Sequence, residues 1–193
     1  MKFNRTLILN LMYLPALIFN YIQFIIRGVK YENFPDIKGV ITLRGKGKLI
    51  IGKRCKINSS IKINPVGLSG KCLFYISKGS RITIGNNVGI SNSLFYSINN
   101  IEVQDNVLIG GGCQILDNDF HSLNYEERIN NSSYIKSKPV LIKEGAFIGA
   151  SSIILKGVTI GRKSIVGAGS VVTRDIPDNE IWAGNPAVFI RKM

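Results

Sequence analysis

The sequence predicts an all-β chain coiled into a parallel β-helix, with one α-helix before it and one loop thrown out of it. Three observations carry this. Aliphatic residues recur every six positions at Ile142, Ile148, Ile154, Ile160, Val166 and Val172. The same step runs through Val103, Ile109 and Ile115, and then position 121 is the chain's single histidine, followed by a polar stretch over residues 122–139. Residues 7–26 are almost wholly apolar and precede every strand-like run. A period of six suits neither a helix nor a plain strand. An aliphatic residue every six, followed by a small one as in Ile148-Gly149, Ile160-Gly161 and Val166-Gly167, suits a chain that turns a corner each time. Three short strands then close one triangular coil of about 18 residues. Coils stack at about 4.8 Å, and each inward aliphatic contributes about 1.5–3 kcal/mol when buried. One coil cannot exclude water alone, so several must stack in register.

The elements follow in chain order. Residues 1–35 form a helical first unit closed by Pro35, and residues 36–193 form the coiled unit. Within the helix Asn10, Tyr13, Asn20, Gln23 and Arg27 fall along one narrow stripe, and Pro15 interrupts the run. No small-residue cleavage site follows, which argues against a removable signal peptide. Three readings stand for residues 7–26: a helix lying in a membrane interface, a helix packed on the rest of the protein, or a membrane span. A first ladder shows at Ile51, Ile57 and Ile63, then a loop over residues 64–71. Alternation through Cys72, Phe74 and Ile76 leads to rungs at Ile84, Ile90 and Tyr96, with a one-residue slip before Val103.

Composition narrows the partners. The chain has 193 residues, 45% of them hydrophobic, which is enough for a real core, and a net charge of +13, which favours anionic partners. No dense basic helix, zinc-ligand spacing or aromatic RNA-binding signature accompanies the charge, so no nucleic acid is expected. Cys55, Cys72 and Cys113 are widely spaced and form no C-x-x-C pair. They read as buried free thiols, which suits a reducing cytoplasm.

The repeats Ile148-Gly149-Ala150-Ser151-Ser152-Ile153 and Ile160-Gly161-Arg162-Lys163-Ser164-Ile165 resemble those of the hexapeptide-repeat acyltransferases. The closing run from Val166 to Pro177, then Ala183-Gly184-Asn185-Pro186, is similar to the maltose/galactoside O-acetyltransferase branch and its polysaccharide-modifying relatives. The resemblance covers roughly residues 80–193, and more loosely from residue 40. It implies a left-handed coil, against the usual right-handed crossover, homotrimers with sites between subunits, acetyl-CoA as co-substrate and a carbohydrate acceptor. A γ-type carbonic anhydrase shares the repeat but binds zinc through three histidines, and this chain has one, so no metal is expected. Sugar-nucleotide pyrophosphorylases need a nucleotide-binding domain that about 40 residues cannot hold.

Within that resemblance His121 stands where the family's general base removes a proton from the acceptor hydroxyl. Asp117 and Asp119 share a face with it if the segment is extended. They then either orient the imidazole or bind the acceptor sugar, or else shape the loop by Asx hydrogen bonds. Ser91 and Asn92 stand near the family's acceptor-binding asparagine. Ala150 and Ala168 mark backbone contacts with the pantetheine arm, while Thr173, Arg174, Arg191 and Lys192 match the nucleotide end. Val188 stands where some relatives carry another arginine. Trp182 reads as packing over the last coil, and Glu126 and Glu127 as solvated. The resemblance leads to an acetyl-CoA-dependent O-acetyltransferase of a sugar hydroxyl in surface polysaccharide biosynthesis, cytoplasmic or peripheral on the inner membrane face. The alternatives are N-acetylation of a sugar nucleotide, O-acetylation of an antibiotic, and a non-catalytic scaffold.

Overall fold

The computed structural model describes residues 5–66, 70–130 and 135–193, with side chains from residue 13 onward. Its strands sort into three sheets of six, eight and six, which form the three faces of a prism. Pairing is parallel throughout, apart from the closing hairpin Glu180–Gly184 and Ala187–Lys192. On the first face Ile51, Ile84, Val103, Ile142 and Ile160 stand opposite one another in successive coils. On the second, Ile37, Ile57, Ile90, Ile109, Ile148 and Val166 do so. On the third the column is Leu43, Phe74, Phe95, Ile115, Ile154 and Val172. All are buried and belong to one continuous core.

The repeat's small residues have separate tasks. Its serine points inward and ties neighbouring corners together. Ser93 Oγ donates to the Gly110 carbonyl at 2.9 Å, and Ser152 Oγ to the Gly167 carbonyl at 3.0 Å. A buried hydroxyl without such a partner would be costly. The glycine allows the corners to stack, since a Cβ at Gly149 would lie 2.5 Å from the Ala168 nitrogen.

Two expected rungs fall elsewhere. Ile63 lies half-buried in a turn, because the chain leaves the coil after Ser59 and re-enters at Leu73–Ile76. Phe95, five residues after Ile90, takes the inward position expected of Tyr96. Tyr96 instead faces outward and stacks on Tyr75, with ring centroids 4.2 Å apart.

Both open ends of the prism are closed. Helix α1 (Arg5–Arg27) covers the first coil. Asn20 is fully buried, donating to the Gly39 carbonyl at 2.9 Å and accepting from the Ile41 N–H at 3.2 Å. Gln23 donates to the Ile41 carbonyl and Arg27 to that of Gly45. Asn20, Gln23 and Arg27 of the stripe read from the sequence therefore take up backbone groups on the free edge of the first coil; Tyr13 is half-buried, and the Asn10 side chain lies outside the described residues. Phe24 joins the core beside Tyr31 and Phe34. Among the described residues no helix is long and apolar enough to cross a membrane. At the far end Trp182 stands opposite Val166, buried over the last coil, with its indole N–H on Glu180 at 2.8 Å.

Ile148→Ala opens a cavity in the middle of the second-face column. It is expected to lower unfolding stability by about 2–5 kcal/mol, read from chemical denaturation of the purified protein.

Candidate active site

The long excursion leaves the coil where the third face meets the first. Residues 117–119 and 136–138 form its stem. The Lys138 N–H donates to the Asp117 carbonyl at 2.9 Å, the Asp119 N–H to that of Lys136 at 3.1 Å, and Asn118 bridges Ser137 in antiparallel fashion. Beyond the stem the chain bends sharply. Phe120 adopts a φ of 62°, its N–H bonded to Asn118 Oδ1 at 2.9 Å, and the His121 N–H reaches back to the Asp119 carbonyl at 2.7 Å. His121 is thereby thrust out at the mouth of the loop. It is exposed, and its imidazole makes no hydrogen bond or ion pair with any described residue. Phe120 lies against Tyr96 at 4.6 Å.

The two aspartates part company, because the bend at Phe120 breaks the extended run that would have aligned them with His121. Asp117 is fully buried. Its carboxylate accepts from Ser97 Oγ at 2.7 Å, from the N–H groups of Ile98 and Asn99 at 2.9 Å each, and from Asn118 Nδ2 at 3.1 Å. It holds the corner of the coil before it. Asp119 is paired with Lys156 at 2.6 Å, from the next coil. That lysine was not singled out in the sequence, where a corner lysine reads as solvated.

After His121, Ser122 is buried and its hydroxyl donates to Glu127 in helix α2 (Tyr125–Ile129). Arg128 donates to the Ser122 carbonyl at 3.1 Å. Glu127, exposed like Glu126 as the sequence reading expects, also ties down the segment that follows His121.

The remaining candidates divide between two corners. Thr173 and Arg174 stand one coil beyond Lys156, on the same corner as the His121 stem, and the Arg174 guanidinium lies 5.2 Å from the Trp182 ring centre. Ser91, Asn92, Ala150 and Ala168 line the corner between the second and third faces. There Asn58 Nδ2 donates to Ser91 Oγ at 3.3 Å, and Asn92 Nδ2 to the Asn64 carbonyl at 2.6 Å, which ties down the shorter loop. Arg191 and Lys192 are exposed on the closing hairpin, as is Val188. A single chain does not bring the two corners together; the four-residue strand Leu94–Ser97 separates them, about 13 Å at strand rise.

The cysteines lie inside, free and buried. Burial pushes the Cys72 thiol up to about 11, and desolvation likewise raises Cys55 and Cys113, which suits packing rather than nucleophilic attack. Among the described residues no three His, Cys, Asp or Glu side chains gather as a metal site.

This coil and this loop define a class, and comparison with known proteins agrees. The hexapeptide repeat of succinyl-transferase matches residues 139–174. A solved hexapeptide-repeat containing acetyltransferase from Vibrio cholerae is 30% identical, over 78% of this chain and 73% of that one, with a TM-score of 0.58. Its complex with acetyl coenzyme A aligns at 34% identity over 63% and 64% of the two chains, with a TM-score of 0.56. The galactoside O-acetyltransferase of Escherichia coli is 39% identical over 62% of this chain and 60% of its own length. The chain belongs to the hexapeptide-repeat acyltransferases, and its β-helix is left-handed. It spans about half to three fifths of the length of the curated relatives it matches first.

Asp117→Ala strips a charged acceptor from two backbone N–H groups and a buried hydroxyl. It is expected to cost about 3 kcal/mol, seen as a lowered midpoint in thermal or chemical unfolding.

Proposed function

We propose that the protein is an acetyl-CoA-dependent O-acetyltransferase that modifies a carbohydrate hydroxyl in surface polysaccharide biosynthesis, with His121 as general base. The observation that carries this reading is the exposed imidazole of the chain's only histidine, held at the loop mouth by its own backbone and engaged by no described side chain. The neutral imidazole accepts the proton of the acceptor hydroxyl as the oxygen bonds to the thioester carbonyl carbon. The carbon–sulfur bond then breaks, and the CoA thiolate leaves with the proton returned by the imidazolium. Support for the cofactor and acceptor comes from the relatives named above, one complexed with acetyl coenzyme A and one a galactoside O-acetyltransferase.

The separation of the two corners favours a homotrimer in which one copy's His121 faces its neighbour's Ser91–Asn92 corner. Ser91 or Asn92 then donates to the developing oxyanion, and Asp119 borders the acceptor. The small corner residues Ala150 and Ala168 let a pantetheine arm approach the backbone. Thr173, Arg174, Arg191 and Lys192 meet the phosphorylated end of CoA. The buried free thiols fit a cytoplasmic enzyme, and we place it against the inner face of the membrane.

Release of CoA thiol from acetyl-CoA, followed with a panel of sugars and undecaprenyl-linked glycans, tests the reading. His121→Ala is expected to lower turnover by about 10²–10⁴-fold with an unchanged unfolding midpoint. Turnover that survives the substitution removes His121 as base. Preference for an amine acceptor supports the N-acetyltransferase alternative. An absence of turnover with every acceptor supports a scaffold.

A further inference from the structure

Helix α1 is inverted for a helix at a water-facing surface, where the apolar stripe ordinarily turns inward. Asn20, Gln23 and Arg27 point at the coils, while the opposite arc carries Leu14, Leu17, Ile18, Ile22, Ile25 and Ile26, 40% to 75% exposed. No charged residue occurs between positions 13 and 26. Contiguous exposed apolar surface of this kind marks an interaction site.

The direction of that surface is fixed by the docking bonds. The strand Thr42–Gly45 ends its sheet, and α1 bonds to the carbonyls of Gly39, Ile41 and Gly45 on the free edge of this first coil. Ladder bonds run along the stacking direction, so the apolar arc looks out from the end of the prism, away from its three sides. Around that end the chain is strongly basic. Residues 27–56 hold nine Lys or Arg and two acidic residues. Both acids are engaged, Asp36 with Lys38 at 3.2 Å and Glu32 with Lys53 at 3.0 Å. Arg27, Lys30, Arg44, Lys46 and Lys48 remain exposed.

We propose that this end docks flat on an anionic phospholipid bilayer, with the outer arc of α1 sunk to the acyl boundary and the basic first coil against the headgroups. Charge decides the occupant. A second copy meeting this end would set like charge against like, whereas an anionic surface neutralises it. Asn20 and Gln23 are not available to headgroups, because they are spent on the coil; the helix is therefore a lipid-facing lid rather than a detachable anchor. This inference uses none of the acyl-transfer chemistry. It gives the membrane placement a surface and an orientation, and in a trimer with parallel coil axes it sets three such helices at one end, where their weak contacts multiply.

The test is co-sedimentation of the full chain with vesicles of phosphatidylcholine alone, or mixed with phosphatidylglycerol, at rising salt. Binding to the anionic vesicles is expected to be stronger by about tenfold or more and to weaken as salt screens it. The variant Ile18→Glu/Ile22→Glu/Ile25→Glu is expected to lose that binding while keeping its unfolding midpoint; Ile22→Glu alone replaces it if the triple change unfolds the chain. Arg44→Glu/Lys46→Glu is expected to lose the anionic preference. Wild-type chain left in the supernatant, or outer-arc variants that sediment as wild type does, would overturn the proposal. So would lipid-free, concentration-dependent association abolished by the same variants, which would assign the arc to a second copy.

Discussion

Coil must lie on coil at one inter-strand spacing, and the rest of the molecule follows from that. Within a strand the alternation is strict, so inserting one residue would turn its inward side chains out. Extra chain can leave only where the backbone is already turning. Both excursions obey this, the shorter rising after Ser59 and the longer after Leu116. The longer one puts a histidine in solvent on a rigid base, because its two ends are bonded to each other and Asp117 pins the corner beneath. The requirement that corners stack also admits only small groups there, as Gly149 beneath Ala168 and Gly110 beneath Ala150 show.

How much of this was legible in the sequence depended on whether neighbouring coils repeat. From Ile142 to Val172 every step is six residues, and each expected rung is buried. Ile63 and Tyr96 misled because periodicity cannot see where a loop begins, nor a corner shortened by one residue between Ile90 and Phe95. Both errors have one cause: rungs are set by pairing across coils, and the sequence displays spacing only along the chain. The stripe Asn20, Gln23 and Arg27 was visible, but its direction was not. Periodicity reports that two faces differ and leaves open which one meets protein. Unpaired backbone on an edge strand attracted the polar face, as carbonyls and N–H groups out of water require partners.

The site was legible to the same degree. A lone histidine at the break of a ladder is a strong signal, and the excursion does carry it outward. Its surroundings depended on distant chain. Asp119 meets Lys156 across 37 residues, and the Asp117 carboxylate is claimed by Ser97, Ile98 and Asn99. A positive φ at Phe120 then undid the alternation that would have grouped both carboxylates with the imidazole. The two groups of candidate residues stand on separate corners of one chain, which makes assembly part of the proposed chemistry rather than an addition to it.

The central claim is that the base of one copy works on a cofactor held at the small-residue corner of the next. Mixing subunits tests it most directly. A chain carrying His121→Ala and a chain carrying Ala168→Trp, each inactive alone, are unfolded together and reassembled in equal amounts. Random trimers place an intact base beside an intact corner at about a quarter of the sites, so turnover returning to roughly that fraction of wild type is the predicted result. A mixture as inactive as its two parents, with trimers formed, would contradict the account.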